Sequence, residues 1–294
     1  MPIDRRRNRK LFRRLHRLLK QAADKPQAKT VHRLRTTARR IEALLQELSP
    51  DPDKNQRRLL KDLSRLRRVA GRVRDMDVQM ALLRGLKVGR DSRHKERLLQ
   101  ALARMRSKRE KKLLSALAKD GVGDVRRRLS KAARRLRIFQ ELSPAAEPQG
   151  PAGGFDPVAA ALREFTRVAR EQGALREDNL HAYRLETKRL RYVAEMAGED
   201  ETAQKIVAEL KRMQDAIGEW HDWLVLSQRA QRALEPETES PLLAALHNVI
   251  RAKFRDALLA CTDARKDLLE VAQAVLSPRK AAAGIRARAI VATA

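Results

Sequence analysis

The sequence predicts an all-α protein made of two tandem helical bundles related by internal pseudo-twofold symmetry, and three observations carry that expectation. Leu, Ala and Arg dominate the 294 residues while aromatics supply 3%, a composition rich in helix formers and poor in strand formers. Apolar residues recur at alternating spacings of three and four, which lays a stripe along one face of a helix. The chain also repeats itself at half its length. His32, Arg35, Arg39 and Arg40 recur as His181, Arg184, Lys188 and Arg189, at an offset of 149 residues. A long-period repeat of this kind marks an internal duplication.

The elements follow in order. Residues 4–24 form a basic amphipathic helix with Leu11, Leu15, Leu18 and Leu19 on its apolar side. Pro26 breaks the chain before a helix over 27–48, whose seam is Val31, Leu34, Ala38, Ile41, Leu45 and Leu48. Ser49-Pro50-Asp51-Pro52 ends it, since proline cannot continue the ladder. A helix over 53–86 turns Leu59, Leu63, Leu66, Val69, Val73 and Met76 inward around Gly71, a mid-helix glycine that marks close helix packing or a kink. A helix over 91–119 buries Leu98, Leu102, Met105, Leu113 and Leu117. Asp120-Gly121-Val122-Gly123 stops it. A further basic helix spans 124–142, with Val125, Leu129, Leu136 and Phe139 inward.

Pro144, Pro148 and Pro151, with Gly150, Gly153 and Gly154, make 143–155 a linker between an N-terminal bundle at 4–142 and a C-terminal bundle at 156–276. Helices follow at 156–173, 177–198, 201–234 and 241–276. Asp156-Pro157 and Ser240-Pro241 each read as an N-cap followed by proline at the first helical position. Residues 277–294 form a basic tail. The repeat continues beyond the histidine helices. Leu66, Gly71, Arg74 and Asp75 correspond to Met213, Gly218, His221 and Asp222, and Leu98, Leu102 and Arg109 to Leu242, Leu246 and Lys253.

Charge is distributed unevenly. The net is +29, from 66 basic and 37 acidic residues. Residues 1–150 hold 44 basic and 16 acidic side chains, whereas residues 151–294 hold 22 and 21. The first half is therefore a polycation that attracts polyanions at long range. Nucleic acid, an anionic membrane surface and inorganic phosphate polymers are the partner classes. A solitary Cys261 excludes an intramolecular disulfide, the charged start resembles no signal peptide, and no apolar stretch approaches about 18 residues. A soluble, cytoplasmic protein without membrane insertion is expected.

On a helix, His181, Arg184, Lys188 and Arg191 fall at i, i+3, i+7 and i+10 and stack on one face. Adjacent like charges repel by a few tenths of a kcal/mol per pair, so such a row points to an anionic partner. Arginine offers a planar fork of donors for phosphate, and histidine donates when neutral. His32, His181 and His221 could chelate a metal only if folding gathered them. No HxxxH pair or cysteine partner accompanies them, and a cationic setting opposes a metal ion. No GxSxG, Walker loop or glycine-rich cradle occurs. The basic rows carry few aromatics beyond Tyr183 and Tyr192, which disfavours base stacking.

HRLRTTARR at 32–40, HAYRLETKRLRY at 181–192, IGEWHDW at 217–223 and AGRVRDMD at 70–77 resemble the conserved histidine α-helical domain, or CHAD, family over most of residues 5–275. The first half departs at Glu42, where the second has Arg191, and at Arg74, where the second has His221. The resemblance implies two four-helix bundles with basic faces lining a shared surface. It also implies binding of inorganic polyphosphate and recruitment to polyphosphate granules. Some relatives carry a triphosphatase domain of the CYTH type, whose ExExK motif does not occur here. The expectation is a binding module without enzymatic activity, metal or cofactor, with a general nucleic-acid binder as the alternative. His32, Arg35, Arg39 and Arg40 would form one anion face, and His181, Arg184, Lys188, Arg189, Arg191 and His221 the other. Arg109, Lys112, Arg251, Lys253 and Arg255 would form outer walls. Gly71 and Gly218 are expected to permit close helix packing, and Asp75 and Asp222 to orient nearby cations.

Overall fold

Helix starts are fixed by local capping. Asp53 accepts a hydrogen bond from Gln56 N while the Gln56 side chain accepts from Asp53 N, a capping box that opens α3. Asp156 accepts from the backbone of Val158 and Ala159, and Ser240 from Leu242, each ahead of a proline at the first helical position. The computed structural model describes residues 4–49, 51–88, 92–119, 122–142, 155–234 and 240–277. Among them are nine α-helices and no strand: α1 Arg5–Asp24, α2 Ala28–Leu48, α3 Lys54–Gly85, α4 Ser92–Lys119, α5 Val122–Leu142, α6 Pro157–Glu171, α7 Glu177–Ala194, α8 Glu201–Leu234 and α9 Pro241–Leu276.

Two local expectations shift. Val122 and Gly123, read as part of a stop signal, already belong to α5. The seventh helix ends at Ala194 rather than 198, tightening into a 3-10 turn at Glu195–Ala197 before Gly198 takes a positive φ of 73°. Most of the expected linker, 143–154, and the tail beyond Ser277 lie outside the described residues.

The predicted apolar stripes enter one continuous core. Leu15, Leu19, Ile41, Leu59, Leu63, Met76, Phe165, Tyr183 and Trp220 are fully buried. In α1, Phe12 rather than Leu11 is the fully inward residue. Helices α1–α5 pack among themselves, as do α6–α9. The halves meet through α2 on α7, α3 on α8 and α4 on α8. Helices equated by the sequence repeat thus face one another across the seam, with their basic rows between them.

Ion pairs tie the seam. Arg40 of α2 binds Glu195 with both ends of its guanidinium, Nε to Oε2 at 2.5 Å and Nη2 to Oε1 at 3.0 Å. Arg189 of α7 donates to Glu47 of α2 from Nε at 3.0 Å. The backbone N–H of Asp4 donates to Met196 O at 2.8 Å, pinning the start of the chain onto the second half.

Candidate functional site

The seam opens into a cleft of about 420 Å³ walled by α2, α3, α7 and α8. Helical spacing decides which basic residues reach it. Each residue turns the side chain by about 100°, so Arg35 and Arg39 share a face with His32, as do Arg184, Lys188 and Arg191 with His181. All of these line the cleft, joined by Arg74, His221 and the carboxylates Asp75, Asp215 and Asp222. His32 and His181, half a chain apart in sequence, border the same space.

The arginines are seated by glycines. A Cβ at Gly218 would stand 2.5 Å from Arg184 Nη2, and one at Gly71 would stand 3.6 Å from Arg35 Nε. The two helical glycines therefore make room for guanidinium groups instead of for a neighbouring backbone, which corrects the expectation of close helix packing. Arg184 Nε donates to Gln214 O at 3.0 Å, and Gln214 Nε2 donates to Thr187 O at 2.8 Å. This short chain aims Arg184 into the cleft.

The charges there are poorly compensated. Among the described residues, Arg35, Arg39, Arg74, Arg184 and Lys188 have no carboxylate within ion-pair distance, whereas Arg67, Arg106 and Arg128 outside the cleft each pair with one. Arg191 reaches Glu195 only at 3.8 Å. Arg35 Nε and His181 Nδ1 are buried without any hydrogen-bond partner, a state that costs free energy until a ligand supplies one.

Titration behaviour follows from this crowding. Burial, then Arg184, Arg39, Arg35 and Arg191, pushes the Lys188 ammonium down to about 6. Burial, then His181, Arg184 and Lys188, brings His221 down to about 4. His32 and His181 are also lowered, by burial first and then by neighbouring cations, Arg74 and other arginines for His32 and Arg184 with Lys188 for His181. The rings of His181 and His221 stack with centroids 4.0 Å apart and 30° between planes. Two neutral imidazoles thus lie face to face, donors available for an anion. Burial pushes Asp222 up even though Arg184 faces it.

Several expected site residues lie elsewhere. Arg40 and Arg189 follow their neighbours Arg39 and Lys188 by one residue, and that turn carries both out of the cleft into the seam ion pairs with Glu195 and Glu47. Arg109 donates to Arg72 O at 2.9 Å. Lys112 lines a separate groove between α3 and α4. On α9, Arg251 donates to Asn248, Lys253 pairs with Glu219 at 3.2 Å and Asp256 at 3.4 Å, and Arg255 is exposed. None of these borders the cleft. Glu42, the counterpart of Arg191, pairs with Arg67 at 2.9 Å. Arg74 is the lining cation not placed in the site beforehand. Its match to His221 was the available signal, and both sit one helix over from their paired histidine. No group of three or more His, Cys, Asp and Glu side chains among the described residues is placed to hold a metal ion. No helix among them is long and apolar enough to cross a membrane.

Comparison with known proteins agrees with this architecture. The CHAD domain family model matches residues 6–231, taking in α1 to most of α8 and leaving α9 outside. No curated protein matches the sequence. A crystal structure of the CHAD domain from the plant Ricinus communis is 19% identical, covers 90% of this chain and 86% of its own, and superposes with a TM-score of 0.56. PptA from Streptomyces chartreusis is 18% identical over 88% of this chain and 98% of its own, with a TM-score of 0.54. Identities this low speak for the fold alone. With its paired histidine–arginine helices meeting across one cleft and the family model spanning most of its length, the chain belongs to the CHAD domain family.

Proposed function

We propose that this protein binds inorganic polyphosphate in the cleft between α2 and α7, without chemical turnover, and that binding recruits it to polyphosphate granules. The observation that carries the reading is the convergence of Arg35, Arg39, Arg74, Arg184 and Lys188 on one cleft with no carboxylate within ion-pair distance among the described residues. Gathering like charges costs stability, and a flexible polyanion recovers that cost on binding. Arginine forks grip phosphate oxygens through paired N–H donors, and the neutral histidines donate single hydrogen bonds. Arg35 Nε, which has no partner, supplies a further donor.

The cleft offers little for reading bases. Among the described residues Tyr192 is its one aromatic apart from the histidines, and Arg191 already lies over that ring at 5.0 Å. A ligand that presents phosphates and nothing else fits the lining best. For chemistry the lining is equally plain: the Thr36 hydroxyl donates to the carbonyl of His32 at 3.1 Å and is not poised as a nucleophile.

Titration with long-chain polyphosphate tests the reading. Replacing Arg184 and Lys188 together with alanine removes most binding while helicity stays intact, and unchanged affinity would take both residues out of the site. Competition at equal phosphate concentration separates the alternatives, since displacement of polyphosphate by single-stranded DNA would favour a nucleic-acid binder. Phosphate release on adding a divalent ion is expected to be nil.

A further inference from the structure

A second basic groove lies outside the cleft, between α3 and α4. It measures about 560 Å³ and is lined by Arg65 and Val69 of α3 with Lys108, Lys111, Lys112, Ser115 and Ala116 of α4. Lys108, Lys111 and Lys112 are exposed and enter no ion pair among the described residues. Two other α4 cations are held: Arg106 by Asp77 and Glu110, and Lys95, which donates to Leu86 O at 2.7 Å.

The groove and the cleft are both built on α3. Arg65, Arg68, Arg72 and Asp75 fall at i, i+3, i+7 and i+10 and are all exposed. Asp75 and its neighbour Arg74 already line the cleft. At a rise of about 1.5 Å per residue, Arg65 stands about 13 Å from Arg74 along the helix. Toward the cleft end of that span, Arg109 of α4 donates to Arg72 O at 2.9 Å and holds α4 against α3 between the two basic surfaces.

The second half lacks this feature. Arg212 stands where the repeat places Arg65, and it is surrounded by Glu209, Asp263 and Asp267. Lys253, the counterpart of Arg109, is neutralised by Glu219 and Asp256. A polyanion leaving the cleft therefore meets Lys108, Lys111 and Lys112, which enter no ion pair among the described residues, on one side, and on the other Arg212 and Lys253 already paired with carboxylates.

We infer that the α3–α4 groove is a second anion subsite, taking the continuation of a phosphate polymer that enters the central cleft and leading it over the N-terminal half. The inference rests on the polyphosphate reading of the cleft. Two linked subsites act on one flexible ligand as a bivalent pair, so the second contact forms at high effective concentration. Chains too short to span both gain nothing.

The test uses the full chain with Lys108→Ala, Lys111→Ala and Lys112→Ala combined, titrated with tripolyphosphate and with a long-chain polymer. Long-chain affinity is expected to fall by tenfold or more, with tripolyphosphate affinity unchanged. A matched variant, Lys10→Ala, Arg13→Ala and Arg17→Ala on α1, removes the same charge from another surface and serves as the control. Equal losses in both triple variants, an equal loss for tripolyphosphate, or no loss would each overturn the inference while leaving the cleft reading standing. A wild-type protein that binds neither ligand would instead bring down the cleft reading, and the subsite with it.

Discussion

The guanidinium of Arg184 occupies the space a side chain at position 218 would fill, with Nη2 2.5 Å from where a Cβ on Gly218 would stand. Gly71 bears the same relation to Arg35 at a looser 3.6 Å. Alanine at either site raises intrinsic helix propensity by about 0.5–1 kcal/mol, so the effects on the anion site and on the helix separate. Gly218→Ala is expected to push Arg184 off its Gln214 contact and lower polyphosphate affinity about tenfold, a change of about 1.4 kcal/mol. Gly71→Ala, at ordinary contact distance, should cost less than about threefold and raise the melting temperature slightly. Calorimetric titration and thermal denaturation of the two variants check the pair.

Lys188 makes binding proton-linked. Its ammonium is pushed down to about 6, chiefly by burial and then by Arg184, Arg39, Arg35 and Arg191 from α7 and α2. From α8 and α3, His221, Asp222, Arg74 and Asp75 also line the same cleft. The free protein therefore holds Lys188 largely neutral at pH 7, and an arriving polyanion draws a proton onto it. Affinity is expected to fall as pH rises above about 6, by up to tenfold per unit for each proton taken up. Lys188→Arg keeps its charge throughout this range and should flatten that part of the profile. Titrations in buffers of different ionisation enthalpy count the protons directly, and zero uptake by the wild type at pH 7.5 would refute the linkage.

The same shift has a folding consequence. A lysine whose folded pKa lies below its unfolded value binds fewer protons in the folded state, so stability rises with pH from about 6 toward the ordinary lysine range. Lys188→Met is expected to raise the melting temperature of the ligand-free protein, most at or below pH 6. A denaturation series across pH compares the two proteins.

Salt should weaken the complex steeply. The cleft presents Arg35, Arg39, Arg74, Arg184, Lys188 and Arg191. By analogy with single-stranded nucleic acid, six phosphate contacts give a log–log slope of about −4, or about a 300-fold loss between 50 and 200 mM salt. A slope near −1 would mean that few of these cations touch the ligand.

Arg40 and Arg39 are adjacent yet do different work. Arg40→Ala strips Glu195 of its bidentate partner in a setting where the two side chains are 26% and 8% exposed. A loss of stability of about 2 kcal/mol is expected, below the full cost for a fully buried pair. Polyphosphate affinity at low temperature should change little, whereas Arg39→Ala should lower affinity and leave stability nearly intact. Parallel melting curves and titrations distinguish them.

The helices and the cleft were legible in the sequence to different degrees. Every helix was anticipated because apolar spacing and capping residues such as Asp156 and Ser240 act locally, within a turn or two. His32, Arg35, Arg39, His181, Arg184, Lys188, Arg191 and His221 were anticipated as site residues because a 3.6-residue period sorts them onto one face. Arg40 and Arg189 were misplaced because matching repeats aligns residues by number, while facing is decided by rotation. Their partners Glu195 and Glu47 lie 155 and 142 residues away in sequence, a separation no periodicity encodes. The purpose of Gly71 and Gly218 was equally hidden, since a glycine in a helix does not say which side chain fills the space it leaves.

The hydrogen bond from Asp4 to Met196 and the two seam ion pairs mean that neither half ends where its own sequence ends. Asp4 is fastened to the far half, and Glu47 and Glu195 are each half of a joint whose other half is encoded elsewhere. The two halves are therefore not independent of each other. A gene cut between the copies should yield two polypeptides that fold poorly alone, yet rejoin into a working protein when produced together.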